Sequence, residues 1–166
     1  MNNLINESNP LSNESNPLTN DSVQLSNEEY QVVAFNLGKE EYAVDVLNVQ
    51  EIERLLNITR VPRTQDYIEG VINLRGNIVP VVNLHKKFSL ESIGVEDDKR
   101  IIVFQFEELQ VGIIVDEVSE VLRLNVNDIE ETAKVYSSIS AEHIKGIAKI
   151  NDRLLILLDL LRILEI

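Results

Sequence analysis

Eight residues at five sites in this 166-residue sequence carry side chains suited to acid–base or metal chemistry. Three are adjacent acidic pairs, and two are histidines: Glu40-Glu41, Asp97-Asp98, Glu107-Glu108, His85 and His143. Paired carboxylates can act in general acid–base catalysis or bind a cation. Each pair falls in a predicted polar loop, which favours solvated charges, and neither histidine has the spacing of a metal-ligand pair. We therefore predict no catalytic residue and no metal site.

Motif content and charge exclude several classes of function. The sequence has no G-x-S-x-G motif and no glycine-rich phosphate-binding loop, so we expect no cofactor. The net charge is −13, whereas a nucleic-acid binder needs a basic surface to displace counterions from phosphates. The same charge opposes binding to an anionic membrane surface. Proteins are therefore the expected partners, with no nucleic acid and no direct membrane insertion.

One arginine stands where a tight turn would favour another residue. The stretch GVINLRGNIVPVVNL, residues 70–84, predicts two apolar strands folded back at Arg75-Gly76. A two-residue hairpin turn needs positive φ, which glycine or asparagine adopts more easily than arginine. An ordinary solvated surface arginine is the simpler interpretation from the turn alone. Pro80 predicts that the hairpin runs along a sheet edge, where an exposed arginine beside apolar residues would suit protein docking.

The segments that position these residues occur twice. Residues 33–55 match residues 102–124 at an offset of 69, and residues 67–88 match residues 143–164 at an offset of 76. Asn151-Asp152 is the second copy's counterpart of the Arg75-Gly76 bend. The duplication predicts two related lobes, each of which closes with a tight hairpin.

The coarse pattern within each copy is that of short strands. Each copy opens with two apolar runs separated by a polar break, which predicts a hairpin with a loop of moderate length. The spacing of Val49, Ile52 and Leu55 or Leu56 fits a short amphipathic helix, whereas residues 118–124 could equally extend a strand. These elements predict two small β-barrels or one sandwich. We also expect local ion pairs along the segments that contain Glu51, Glu53, Arg54, Glu120 and Arg123.

Composition divides the chain into a tail and a folded domain. Residues 1–28 are rich in Asn, Ser and Glu and predict a disordered tail. Residues 29–166 form the predicted domain. The chain has no cysteine, no secretory signal and no apolar run long enough for a membrane helix, which predicts a cytoplasmic protein.

Three stretches carry a family resemblance: EEYAVDVLNVQEIERL, YIEGVINLRGNIVPVVNLHKKF and VGIIVDEVSEVL. From about Tyr30 to the C-terminus the sequence resembles CheW, the coupling-protein family of bacterial chemotaxis. The resemblance implies a mainly β fold of two small interleaved five-stranded β-barrels that share a core, with short helices. The lobes would span about residues 30–90 and 100–166.

The resemblance also implies a non-catalytic adaptor. It would couple the cytoplasmic tips of chemoreceptors (methyl-accepting chemotaxis proteins) to the histidine kinase CheA through the CheW-like regulatory domain of that kinase. Such a protein is cytoplasmic and is recruited to membrane receptor arrays. The alternative is a CheW-like scaffold for a non-chemotaxis receptor–kinase pathway.

By the same resemblance, eight residues would serve receptor or kinase binding. Val49, Glu51 and Ile52 would lie at the receptor groove, and Gly70 would shape the strand beside it. Arg75 would contact the receptor or the kinase. Its geometry would be held by Asn73, Leu74 and Gly76. Asn83 and His85 depart from the family's usual P-V-x-D-L-R pattern, so no role is carried to them.

Overall fold

The computed structural model describes residues 29–55, 57–130 and 137–165, and the predicted tail lies outside these ranges. The described chain is mainly β, as predicted. Its strands are β1 Glu29–Leu37, β2 Glu40–Asp45, β3 Val49–Arg54, β4 Ile68–Leu74, β5 Asn77–Asn83, β6 Arg100–Phe106, β7 Leu109–Val115, β8 Glu117–Asn125, β9 Ile129–Glu130, β10 Ile144–Ile150 and β11 Arg153–Leu158. Two short helices, α1 Leu84–Phe88 and α2 Leu160–Ile163, follow β5 and β11.

The strands form two sheets, and each sheet takes strands from both sequence copies. The first sheet has the order β8-β1-β2-β11-β10-β9, and the second has the order β3-β6-β7-β5-β4. The opening hairpin of each copy, β1–β2 or β6–β7, therefore joins the sheet that holds the closing hairpin of the other copy. This exchange confirms the predicted interleaving. The first sheet has a sixth strand because Ile129–Glu130 pairs with β10.

Apolar side chains are buried in three clusters, one shared by the two sheets and one within each sheet. Successive side chains of a strand point to opposite faces, so a strand that is buried on both faces can contribute to two clusters. In β1, Val33 and Phe35 pack into the shared cluster, while Val32 and Ala34 pack into the cluster of the first sheet. The cluster within the second sheet consists of Ile72, Leu74, Val79, Val81, Ile101, Val103 and Ile114. The shared cluster joins the two sheets into one core.

The hairpins have tighter turns than the sequence suggested. Two residues join β1 to β2 and β6 to β7, where loops of moderate length were predicted. Positive φ makes such short connections possible, at Gly38 (φ 65°) and at Glu107 (φ 55°). The closing hairpins turn at residues 75–76 and 151–152, the positions that the sequence predicted.

The predicted amphipathic helix over residues 49–55 is wrong. Val49–Arg54 form β3, whose side chains alternate between half-buried and exposed and which pairs with β6. Val49, Ile52 and Leu55 fit a helical period by spacing alone, but pairing with the other copy decides the conformation. The counterpart segment lies in β8, in agreement with the strand alternative for residues 118–124.

Pro80 lies in the sheet-edge hairpin but not in the edge strand. β4 is at the edge of the second sheet, and β5, which contains Pro80, lies between β4 and β7. The pairing of β5 with β7 begins at Val81, which lies opposite Gly112. Pro80, which has no N–H, therefore sits just before this pairing and does not interrupt it. The boundaries of the two lobes, about 30–90 and 100–166, stay a prediction.

Candidate protein-docking surface at the first closing hairpin

The turn between β4 and β5 holds Arg75 in a constrained backbone conformation. Arg75 has φ 53° and Gly76 has φ 88°, so both central residues adopt the positive φ of a type I′ hairpin turn. The side-chain Oδ1 of Asn73 accepts a hydrogen bond from the Gly76 N–H at 3.0 Å. The tip is therefore fixed by its backbone and by a side-chain contact.

An ion pair connects this tip to β3. The Arg75 Nη2 donates to Glu51 Oε2 at 2.8 Å, although β3 and β4 are the two outer strands of their sheet. This contact brings both sheet edges together, as expected for a sheet that curls toward a barrel. The Arg75 side chain is 73% exposed, whereas the Glu51 side chain is 14% exposed. A mostly covered carboxylate thus anchors a guanidinium that faces solvent.

A second carboxylate adjoins the pair. The pKa of Glu53 is raised, chiefly by its interaction with the neighbouring Glu51 carboxyl group, and also by burial and by repulsion from the Glu51 charge. Arg75 opposes this shift. The expected ion pair between Glu51 and its neighbour Arg54 is not formed within the described residues, because Glu51 pairs with the hairpin arginine instead.

Exposed apolar side chains occur on the strands that flank the pair. Ile52 in β3 is 39% exposed, and Ile78, which lies opposite Asn73 across the hairpin, is 63% exposed. Single exposed apolar residues are common on protein surfaces. Ile78 belongs to the same hairpin as Arg75, whereas Ile52 follows Glu51 in β3 and points to the opposite face of that strand.

The structure brings together only part of the predicted set. Glu51, Asn73, Arg75 and Gly76 share direct contacts or the same turn. Leu74 is buried inside the cluster of the second sheet, and Val49 packs against the shared cluster.

Gly70 lies at the other end of β4 from the turn. A Cβ at Gly70 would come within 2.2 Å of the Thr59 carbonyl oxygen. Thr59 is close because it forms two hydrogen bonds of 2.9 Å with Val71, which the sequence did not predict.

The counterpart hairpin of the second copy also carries an arginine, two residues later. Arg153 donates to both carboxylate oxygens of Glu41, at 3.2 and 2.6 Å, and lies 3.5 Å from Glu120. The expected pairing of Glu120 with its neighbour Arg123 is therefore replaced by a contact with Arg153 in the described chain.

The acidic loops and histidines mostly serve the fold. The pairs at 97–98 and 107–108 are exposed, as predicted, but Glu40 and Glu41 are half-buried and bonded. Contrary to the expectation of separate loops, Glu40, Glu41 and Asp98 line one pocket of about 270 Å³. The described residues contain no group of three or more potential metal ligands in a suitable arrangement.

The buried contact between His85 and Asp116 was missed by the sequence argument. His85 Nε2 lies 3.0 Å from Asp116 Oδ2, which also accepts a hydrogen bond from the Gly38 N–H at 2.8 Å. Burial raises the pKa of Asp116, but hydrogen bonds from Gly38, His85 and Ser92 outweigh it and leave that pKa lowered. The two partners are 31 residues apart, and no short motif links them. A carboxylate at the end of the apolar run VGIIV is the single sequence clue.

The first closing hairpin therefore presents a solvent-facing guanidinium that contacts Glu51, and an exposed Ile78 on β5. In class, the molecule is a mainly β protein built from two sheets that exchange hairpins. Within the described residues, no helix is long and apolar enough to cross a membrane.

Comparison with known proteins identifies the family. The model of the CheW-like domain matches residues 31–166. Chemotaxis protein CheW of Klebsiella aerogenes is 38% identical over 135 residues, which cover 81% of each chain. Chemotaxis protein CheW of Thermotoga maritima is 38% identical over 137 residues, covering 82% of this chain and 89% of the relative. The chain belongs to the CheW-like family.

A solved structure agrees with this assignment. The scaffolding protein TtCheW from Thermoanaerobacter tengcongensis matches with a TM-score of 0.74 and 38% identity, covering 80% of this chain and 86% of that chain. The fold and the relatives together define a CheW-like scaffolding protein of chemotaxis. The relatives are named as chemotaxis proteins, so a non-chemotaxis pathway is not favoured.

Proposed function

We propose that this chain couples the cytoplasmic tips of chemoreceptors to the regulatory domain of the histidine kinase CheA, without catalysis of its own. Membership of the CheW-like family supports this role. The observation that carries it is the Arg75 guanidinium, 73% exposed on a hairpin tip and anchored to Glu51 at 2.8 Å. The protein would act in the cytoplasm, recruited to receptor arrays at the membrane.

Arg75 suits recognition because it combines free donors with a fixed position. An arginine side chain has five N–H donors, and the hydrogen bond to Glu51 uses one nitrogen, Nη2. The remaining donors can bind a carboxylate or a backbone carbonyl of a partner. Because the turn and Glu51 already restrict the side chain, less conformational entropy is lost when a partner binds.

The other predicted residues would support this contact in different ways. Glu51 would orient the guanidinium, and Ile52 would add an exposed apolar contact. Asn73 and Gly76 would preserve the turn that presents Arg75.

Three further residues would act from within the fold. Val49 and Leu74 would hold β3 and β4 through their packing in the clusters. Gly70 would permit the close approach of Thr59 to β4.

Moderate affinity is sufficient for such an adaptor. A micromolar contact corresponds to about −8 kcal/mol. Many linked contacts in an array raise the overall avidity well above that of one contact. We therefore expect micromolar affinity for each isolated partner.

Titration calorimetry with two partners from the same genome tests the proposal. A receptor-tip fragment and the kinase regulatory domain are titrated separately with the wild type, Arg75→Ala and Arg123→Ala. Arg123 is an exposed arginine of β8 and serves as the matched control. We expect the wild type and Arg123→Ala to bind both partners. Arg75→Ala should bind one of them at least about tenfold more weakly, which corresponds to 1.4 kcal/mol of binding free energy.

Folding of each variant is checked by circular dichroism before titration. If the folded wild type bound neither partner, the adaptor role would be rejected. If Arg75→Ala and Arg123→Ala bound both partners as tightly as the wild type, the adaptor role would stand and Arg75 would lose its assigned part.

A further inference from the structure

A second surface, far along β4 from the arginine tip, forms a groove in the loop before that strand. The groove has a volume of about 400 Å³ and is lined by residues 60–66, Ile68 and Glu69. Its start is fixed by the Thr59–Val71 hydrogen bonds, and its end by the bond from the Ile68 N–H to the Gln65 carbonyl at 3.0 Å. The loop is therefore a shaped part of the fold.

The groove combines cationic and apolar lining in an otherwise acidic protein. Arg60 and Arg63 are exposed, and Val61 is 39% exposed. Glu69 also lines the groove, but Lys86 lies 3.1 Å from it and Asn83 donates to it at 3.2 Å. Its pKa is lowered because these contacts outweigh the effect of burial. Glu69 is thus ionised and paired with Lys86, and the Arg60 charge adds to the lowering of its pKa. Asp66 is the other acidic residue of the lining.

Arg63 has a conformation that an arginine rarely adopts without a reason. Its φ is 62°, in the left-handed region that favours glycine and asparagine. No ion pair to Arg63 is formed by the residues that the structure describes. The exposed Arg63 side chain is therefore available to an anionic ligand in the groove.

The chain itself contains a matching ligand that is repeated. Residues 4–28 follow a seven-residue period, L-x-N-E/D-S-x-x, with Leu4, Leu11, Leu18 and Leu25 at the first position. The fourth position is always acidic: Glu7, Glu14, Asp21 and Glu28. No lysine or arginine occurs in this segment. Each full period thus offers one carboxylate and one leucine, which match the arginines and the apolar lining of the groove.

We propose that the groove at residues 60–69 binds the leucine–acid repeats of residues 4–28 of the same chain. One repeat makes few contacts, so its affinity in isolation is expected to be weak. A tether supplies an effective concentration in the millimolar range, which compensates for weak binding. Glu7 precedes β1 by 22 residues, which can span up to about 70 Å, more than the roughly 30 Å diameter of a small domain.

Paramagnetic relaxation measures this contact in the full-length chain. The chain has no cysteine, so Ser12→Cys, at a variable position of the repeat, gives a single site for a nitroxide label. Backbone amide intensities are compared between the oxidised and reduced label at about 0.1 M salt. We expect the oxidised label to reduce the amide intensities of Thr64, Gln65 and Ile68 at least twofold. The intensities should recover at 0.5 M salt, because a shorter Debye length screens the attraction between the charges.

Variants in the groove and in the repeats identify which residues form the contact. Arg63→Asn removes the charge but suits the positive φ, and Arg123→Gln is the matched control. In the labelled chain, Arg63→Asn should restore the amide intensities at the groove, and Arg123→Gln should not. The triple variant Glu7→Gln, Glu14→Gln, Asp21→Asn should restore them without any change to the folded part.

Two results would overturn the proposal. One is the absence of any intensity loss at residues 60–69 in the labelled wild type. The other is a loss of amide intensity in Arg63→Asn and in the triple variant that equals the loss in the labelled wild type. A mixture of isotope-labelled chain without nitroxide and unlabelled chain with nitroxide distinguishes binding within one chain from binding between two copies. Loss in that mixture equal to the loss in the singly labelled chain would assign the occupant to a second copy, contrary to the proposal.

Discussion

The two closing hairpins have the same turn geometry but place their arginines differently. Positive φ occurs at both central residues of each turn, at 75–76 and at 151–152. In the first hairpin the arginine is at the tip and 73% exposed, with one carboxylate partner. In the second, asparagine occupies the tip, and Arg153 lies two positions later, 35% exposed and near two glutamates.

The two arginines therefore differ in how many of their donors remain available to another protein. Glu51 and Glu120 occupy equivalent positions of the duplication, and each lies near an arginine of its hairpin. A contact between this glutamate and a hairpin arginine therefore recurs in both copies. A tip arginine keeps most of its donors in solvent, whereas an arginine clamped by two carboxylates does not. We infer that the first hairpin presents its arginine to a partner and that the second uses its arginine for the fold.

The largest expected effect comes from the glycines at the start of each closing hairpin. Gly70 and Gly146 both follow a register shift in their strand pairs. A Cβ at Gly70 would lie 2.2 Å from the Thr59 carbonyl, and φ is 152°, whereas at Gly146 the nearest atom is a side-chain methyl at 2.6 Å. We expect Gly70→Ala to cost about 3 kcal/mol of unfolding free energy and Gly146→Ala about 1.5 kcal/mol. Urea denaturation checks the order, and equal costs would remove this difference between the copies.

A smaller effect is expected from Asp116, which has no equivalent in the first copy. Its counterpart by alignment is Leu47, which is 84% exposed. Asp116→Asn removes the charge that accepts hydrogen bonds from Gly38, His85 and Ser92. We expect a loss of about 2 kcal/mol at pH 7, as for hydrogen bonds to a charged group.

The pH dependence of this loss provides an independent check. Because the folded-state pKa of Asp116 is below its ordinary value of 3.8, its stabilisation is full above pH 3.8. It is lost as the pH falls through that value toward the folded-state pKa. The unfolding free energies of wild type and Asp116→Asn should therefore converge below about pH 3.8, as measured by urea denaturation between pH 3 and pH 7. A gap of constant size would contradict the ionic origin of the effect.

The smallest expected effects concern the arginines themselves. Arg153→Ala breaks a two-point contact with Glu41, so we expect a loss of about 1 kcal/mol. Arg75→Ala breaks one exposed contact and should change stability by less than about 0.5 kcal/mol. Thermal and urea unfolding of both variants test the contrast. A greater loss for Arg75→Ala would make the tip arginine the structural one.

Local sequence patterns predicted much of the fold because turns and apolar runs are local features. The duplication, the mainly β class and the two bends at 75–76 and 151–152 were all readable from the sequence. β3 was mistaken for a helix because the three-residue spacing of Val49, Ile52 and Leu55 fits a helical period. The strand conformation is decided by pairing with β6, which lies in the other copy. The tight opening turns were missed because Glu107 gives no hint of positive φ.

The candidate site was less accessible from sequence because its contacts join distant segments. Arg75 was singled out by its type in a tight turn, but its pairing with Glu51 depends on the curvature of a whole sheet. The same holds for Arg153 with Glu41, which are separated by 112 residues. Local neighbours such as Arg54 and Arg123 were the natural candidates until the topology was known.

An exchange of the two tip residues tests the central claim most directly. Arg75→Asn gives the first hairpin the residue that the second already uses at positive φ, so the turn should be preserved. Asn151→Arg is the reciprocal change. Each variant and the double variant are titrated with the receptor-tip fragment and the kinase regulatory domain. We predict that Arg75→Asn remains folded and binds one partner at least about tenfold more weakly, and that Asn151→Arg does not restore this binding. Binding of Arg75→Asn at the wild-type affinity to both partners would contradict the account.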